Sequence, residues 1–268
     1  MELVLENVGF SYDRGLPTET KVLDSLSAVV RTGEFLSIVG RTGSGKTTLA
    51  LIMAGLLKPT SGTVTIKGGA GQPTTGMTPA TPRGESAQAG ERVCAVNGVD
   101  VVRRADVVMV FQFPESQFFE EDVFREVAFG PSRLGVRGHE LSRRVDSALR
   151  AVNLDPDAYS RLFTSELSEG EKRRVAIASA LSCQPHFLIL DEPAISLDWQ
   201  ASADLFRALA ELKRKDTAVV VATHEVGTAA SLSDTVAVIG QGRLLALGKL
   251  QAQDIYAHLG AKRSSDEP

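Results

Sequence analysis

Glu34-Phe35-Leu36-Ser37-Ile38-Val39-Gly40-Arg41-Thr42-Gly43-Ser44-Gly45-Lys46-Thr47-Thr48 is the stretch whose reading decides the fold. Its first half is almost wholly apolar, which suits a strand buried on both faces. Its second half satisfies Gly-x-x-x-x-Gly-Lys-Thr from Gly40 to Thr47. A helical stretch then runs to about Leu57, with Pro59 and Gly62 as stops. Glycines let successive backbone N–H groups curl around phosphate oxygens, and the helix that follows offers its positive N-terminus. Gly40, Arg41, Thr42, Gly43, Ser44, Gly45, Lys46, Thr47 and Thr48 are therefore candidate phosphate-binding residues. Lys46 supplies a mobile positive charge for the β and γ phosphates, and the Thr47 hydroxyl can ligate Mg²⁺. A glycine-rich turn that merely caps a helix would not need an apolar strand, a loop and a helix in this order.

Outward from that stretch, residues 2–8, 22–30, 63–67 and 107–111 read as strands. The region 121–152 is mostly helical, and 168–182 is another helix. Strand 187–190, a helix near 200–213, strand 217–222 and a hairpin of 234–240 with 243–247 complete the body. Strands alternating with helices predict a mainly parallel α/β core. Residues 68–92 break the pattern: the 25 residues hold six Gly, three Pro and four Thr and no large apolar side chain apart from Met77. Such a run buries too little apolar surface to offset its ordering entropy, so it reads as a flexible insertion. It would split a hairpin of strands 63–67 and 93–102.

Composition sets the outer bounds. The chain has 268 residues, 43% hydrophobic and 23% charged, which excludes fibrous and wholly disordered classes. A net charge of −4 argues against a protein that lives on nucleic-acid phosphates. Two cysteines are too few for a disulfide scaffold. The longest apolar stretches fall far short of the ~20 residues a spanning helix requires, and no secretory signal is visible.

Two further segments carry chemistry. The strand Phe187-Leu188-Ile189-Leu190 ends in Asp191 and Glu192. Asp191 is placed to hold Mg²⁺, and Glu192 to orient or deprotonate an attacking water; alone, such a pair could be a solvated loop start. Leu167-Ser168-Glu169-Gly170-Glu171 opens a helix. Its Ser-x-x-Glu spacing is a capping box, compatible with a helix N-terminus presented to an anion.

Phosphate loop, Leu-Ser-x-Gly-x signature, acidic strand end and His224 in Ala222-Thr223-His224-Glu225 occur in the order of the ATP-binding cassette (ABC) ATPases, which the chain resembles from about Leu3 to Leu247. The resemblance implies a P-loop NTPase fold: a RecA-like, mainly parallel α/β core, an antiparallel β subdomain and a helical subdomain. The cassette would occupy 2–248, with the helical signature subdomain in about 113–182 and a C-terminal helix and frayed tail in 249–268. It implies ATP and Mg²⁺ as ligands. Tyr12 would stack on adenine, Gln112 would contact Mg²⁺ and sense a membrane partner, and His224 would contact the γ-phosphate. Ser168 and Gly170 would close the phosphate site of a second subunit, to which Asp198 would also cross. Thr47, Gln112 and Asp191 form the implied metal set; Glu192, His224, Gln112 and Lys46 form the implied catalytic set.

Phe111-Gln112-Phe113-Pro114-Glu115-Ser116-Gln117-Phe118-Phe119 and the later Ala128-Phe129-Gly130-Pro131 resemble ATPases of energy-coupling factor transporters. That group implies a peripheral subunit on the cytoplasmic face of a bacterial or archaeal membrane. It would pair with a second cassette, identical or homologous. It would power uptake of a vitamin or metal ion through a membrane T component and a substrate-binding S component. Phe113, Phe118 and Phe119 would be exposed aromatics receiving T-component helices. A soluble cassette acting on nucleic acid or ribosomes is the alternative, opposed by the acidic balance; a small-molecule kinase leaves the signature and His224 unexplained. Two departures stand out. Glu169 replaces a usual glycine and puts a carboxylate near the expected γ-phosphate, and Trp199 replaces a usual proline.

Overall fold

The computed structural model describes residues 1–68, 106–113, 118–195, 197, 199–212 and 217–260. β1 (Glu2–Tyr12) and β2 (Thr20–Arg31) precede β3 (Phe35–Gly40), the apolar head of the deciding stretch. Helix α1 (Lys46–Met53) and β4 (Ser61–Lys67) come next, then β5 (Val107–Val110). Four helices follow: α2 (Val123–Arg133), α3 (Gly138–Ala151), the short α4 (Pro156–Tyr159) and α5 (Glu169–Ser182). The remainder is β6 (Phe187–Asp191), α6 (Trp199–Leu212), β7 (Ala218–Thr223), α7 (Val226–Leu232), β8 (Thr235–Gly240), β9 (Arg243–Gly248) and α8 (Ala252–Leu259).

Six strands form one sheet in the order β5-β6-β7-β3-β8-β9, parallel except for the edge strand β9. β3, β6 and β7 are buried along their whole lengths, as continuous apolar runs require. Side chains alternate between the two faces. Leu188, Leu190, Val219 and Val221 join a core shared with α2, α3, α5 and α6. Phe187, Ile189, Val220 and Ile38 join a second core shared with α1 and a three-stranded antiparallel sheet, β2-β1-β4. The sheet is thus covered on one side by the helical segment and on the other by α1 and the small sheet.

The parallel α/β core, the antiparallel sheet and the helical segment match the expectation from sequence. Four local expectations change. α1 stops at Met53, well before Pro59, because Gly55 adopts φ 73 while Gly55 N donates to Ile52 O at 3.0 Å and Leu56 N to Leu51 O at 2.9 Å. That is a Schellman ending, which satisfies the last carbonyls earlier than proline could. The helical region 121–152 is two helices: Gly135 takes φ 88 in the link between α2 and α3. β1 extends to Tyr12, bending at Asn7, whose φ of 50 accompanies a register shift against β2 between Leu5 and Val8. α7 leaves no mark in the sequence, since Val-Gly-Thr-Ala-Ala-Ser-Leu is too short to show a period.

The insertion beyond Gly68, the strand expected at 93–102, residues 114–117, Asp198 and the tail from 263 lie outside the described residues. Among the described residues no helix is long and apolar enough to cross a membrane.

Candidate active site

The site grows from the carboxyl ends of β3, β6 and β7, where a doubly covered sheet opens toward solvent. Gly40 ends β3 where no side chain fits: a Cβ there would lie 2.4 Å from Ile239 O and 2.5 Å from Ser44 Oγ. Ser44 N donates to Arg41 O at 3.0 Å to turn the loop, and Gly43 and Gly45 take φ 78 and 102. β9's turn braces it from outside, with Gly242 N donating to Ser44 O at 3.2 Å. Lys46 is buried and folds back so that Nζ donates to Gly40 O at 2.9 Å and Arg41 O at 3.3 Å.

Asp191 and Glu192 stand at the end of β6. Glu192 holds a left-handed φ of 48 and its N–H donates to Ala222 O at 2.8 Å on neighbouring β7. A non-glycine residue holds such a backbone only when its surroundings over-determine it. Its carboxylate lies between two nitrogens: Oε1 is 3.8 Å from Lys46 Nζ, and Oε2 is 2.8 Å from His224 Nδ1. The side chain of Glu192 is 15% exposed and that of His224 60%, so the histidine forms the solvent side of the row.

Asp191 is buried, and its Oδ1 has no hydrogen-bond partner. Burial pushes its carboxyl above the usual carboxylate range; a bond from Thr47 and the Lys46 charge pull the other way, and Glu192 adds to the rise. An orphaned carboxylate oxygen beside a hydroxyl fits Mg²⁺, which takes few protein oxygens and keeps waters and substrate phosphates as its other ligands. Among the described residues no cluster of three or more His, Cys, Asp or Glu side chains could hold a metal by itself.

Tyr12 closes the other flank. Its ring packs edge-on against Phe10 with centroids 4.8 Å apart, remains 42% exposed, and its hydroxyl lies 3.4 Å from Thr48 Oγ1. Thr48 is therefore turned toward Tyr12, while the exposed ring remains available to stack on a base. Gln112 follows β5, whose Val110 pairs in register with Leu190, so it lies beside the Asp191–Glu192 turn.

One chain thus brings together Tyr12, residues 40–48, Gln112, Asp191, Glu192 and His224. Ser168 caps α5 and Gly170 lies in its first turn. Ser168 N and Oγ both donate to Glu171 Oε2, at 2.9 and 2.7 Å, and Tyr159 donates to Glu171 Oε1 at 2.6 Å. These bonds hold the Glu171 carboxyl below its ordinary range, the tyrosine bond contributing most. Glu169 is 67% exposed and pairs with Lys172 at 2.8 Å, along the helix flank. Of the three phenylalanines expected on the surface, Phe113 and Phe119 are 50% and 56% exposed. Phe118 is instead half-buried and packs against the helical core. Phe119 stacks on Phe129 at 6.0 Å, with Arg133 over the latter ring. The sequence did not reveal two buried charges that shape this region. Glu126 accepts from Phe119 N and Glu120 N at 3.0 Å each, and Arg173 reaches the backbone beside Gln112 and Pro193. Each sits in a charged helical run that reads as a solvated face.

The family model described as ABC transporter matches residues 23–195. The energy-coupling factor transporter ATP-binding protein EcfA2 of Lactiplantibacillus plantarum is 38% identical over 252 residues, covering 92% of this chain and 77% of the relative. The protein of the same name from Streptococcus sanguinis is 35% identical, covering 93% and 82%. Among solved structures, cbiO1 from Clostridium perfringens, part of the ABC transporter complex cbiONQ, superposes with a TM-score of 0.74 at 28% identity, covering 95% of this chain and 90% of that one. A dimeric, post-hydrolysis state of the ATP-binding cassette MJ0796 bound to ADP and Pi superposes with a TM-score of 0.70 at 25% identity, covering 93% and 99%. With the phosphate loop, the Asp191–Glu192 strand end and His224 brought side by side, the chain belongs to the ABC transporter family, and within it to the ATPases of energy-coupling factor transporters.

Proposed function

We propose that the chain hydrolyses MgATP in a head-to-tail pair of cassettes and that the resulting opening and closing drives uptake of a vitamin or metal ion through separate T and S membrane components. The observation that carries this reading is the row Lys46–Glu192–His224 across the mouth of the phosphate loop. Residues 2–248 form the cassette in this reading, and the chain works as a peripheral subunit on the cytoplasmic face.

The phosphate loop binds the β and γ phosphates through its backbone N–H groups, and Lys46 exchanges its two carbonyl partners for phosphate oxygens. Tyr12 holds the adenine. Thr47, Asp191 and Gln112 hold Mg²⁺, which neutralises charge on the phosphates when bound. Glu192 accepts a proton from a water whose oxygen bonds to the γ-phosphorus. The bond from that phosphorus to the bridging oxygen breaks, and its electron pair leaves with ADP. His224, fixed by Glu192, faces the γ-phosphate. Ser168 and Gly170 of one cassette complete the site of the other, with Asp198 crossing the same interface. The exposed Phe113 and Phe119, with the 119–120 backbone fixed by Glu126, support a docking face for T-component helices.

Reconstituting the chain with a second cassette and candidate membrane subunits in vesicles tests the reading. ATP inside the assay must drive uptake, and Glu192→Gln must abolish uptake while the complex still assembles. Assembly without any ATP-dependent uptake of any tested cargo, or a chain that co-purifies with ribosomes instead, overturns it.

A further inference from the structure

Arg173 is the middle residue of Lys172-Arg173-Arg174, one turn into α5, and it is only 4% exposed. Burying a guanidinium is costly unless its donors find acceptors, so its bonds indicate what it does. Nη1 donates to Pro193 O at 3.3 Å and also to Ile195 O. Nη2 donates to Gln112 O at 3.3 Å. These acceptors are backbone carbonyls just beyond two adjacent parallel strands, β5 and β6.

The carbonyl segments are also those that carry the chemistry. Pro193 directly follows Glu192, whose φ of 48 must be imposed from outside, and Ile195 N closes the turn on Glu192 O at 3.2 Å. A planar guanidinium with forked donors can bridge separate carbonyls in a way a single ammonium cannot. These three acceptors are main-chain atoms, and the Glu192 carboxylate keeps its places beside Lys46 and His224.

We propose that Arg173 is a positioning residue that clamps the Glu192 turn to the Gln112 segment and ties both to α5, so that the carboxylate and the amide keep one spacing when the signature helix moves. The proposal rests on the reading of Glu192 as proton acceptor.

Arg173→Met and Arg173→Lys, measured in the purified assembly that contains the chain, test it. The carbonyls Arg173 holds belong to the Gln112 and Pro193–Ile195 segments and not to the phosphate loop, so KM for MgATP should stay within about threefold while kcat falls about tenfold or more in Arg173→Met. Arg173→Lys should recover part of the rate. Active-site counting with a non-hydrolysable ATP analogue normalises kcat to folded sites. A kcat per site within about twofold of wild type in Arg173→Met overturns the clamp, as does a KM that rises in step with the loss of rate. Glu192→Gln run in parallel separates the two ideas. A full rate in Glu192→Gln overturns the reading of Glu192, whereas an inactive Glu192→Gln beside a full-rate Arg173→Met overturns the clamp alone.

Discussion

Glu192→Gln removes a charge and almost no volume. The carboxylate it replaces lies 2.8 Å from His224 Nδ1 and 3.8 Å from Lys46 Nζ, in a side chain that is 15% exposed. Glutamine can adopt the same left-handed backbone at the same strain, so the turn into Pro193 should persist. What disappears is the proposed proton acceptor. A positioned general base contributes roughly 10²–10⁴ in rate, or about 3–5 kcal/mol of barrier at 1.36 kcal/mol per decade. Nucleotide binding should survive, because the phosphate loop and Lys46 are untouched. The metal site should even gain, since the Glu192 charge is one of the causes that raise the Asp191 carboxyl. Phosphate release, nucleotide retention on a desalting column, and mass by light scattering measure the three consequences. The expected result is hydrolysis slowed at least ~100-fold, MgATP retained, and a cassette pair that persists. Hydrolysis within about threefold of wild type would falsify the assignment of the base. A variant that holds MgATP at saturation yet stays monomeric refutes pairing with itself.

Asp191→Asn should raise the Mg²⁺ concentration needed for hydrolysis by about tenfold or more, because a neutral amide is a poorer ligand for a hard cation. The sign of its effect on the nucleotide-free fold is opposite. Burial raises the native carboxyl above its unfolded value, so the charged form destabilises the fold at neutral pH and the penalty fades as pH falls through the native value. The free Asp191→Asn variant should therefore melt higher than wild type near pH 7 and converge with it in acid; a gap that widens in acid contradicts this. Glu169→Gly should speed turnover several-fold at low salt and hardly at all in about 1 M salt, where the Debye length shrinks to ~3 Å, because the carboxylate is exposed. An unchanged low-salt rate removes the electrostatic penalty assigned to Glu169.

Much of this molecule is legible in short stretches of chain. The phosphate loop, the Asp191–Glu192 strand end and the capping box at Ser168 are each fixed by local chemistry, so spacing alone finds them. The central strands announce themselves as apolar runs because both faces are covered. What stayed hidden depends on partners distant in sequence or on a single backbone angle. The end of α1 is set by Gly55 going left-handed, and Gly55-Leu56-Leu57-Lys58-Pro59 does not reveal whether the glycine or the proline acts first. The burial of Arg173 depends on β5 and β6 arriving beside α5, and nothing in Lys-Arg-Arg marks the middle residue as the inward one. Phe118 is indistinguishable in sequence from its aromatic neighbours Phe113 and Phe119, yet it packs against the helical core while they stay exposed.

The brace behind the phosphate loop bears on how the protein is made. Gly242 hydrogen-bonds to Ser44 and receives Asp24 N on its own carbonyl, and Ile239 O closes over Gly40. A ribosome delivers residue 44 long before residue 242. A nascent chain therefore carries its phosphate loop through most of synthesis without the hairpin that seats it. Nucleotide capture becomes a late event in biosynthesis, and a chain truncated ahead of β8 carries every residue from Gly40 to Glu192 with its ATP site unfinished.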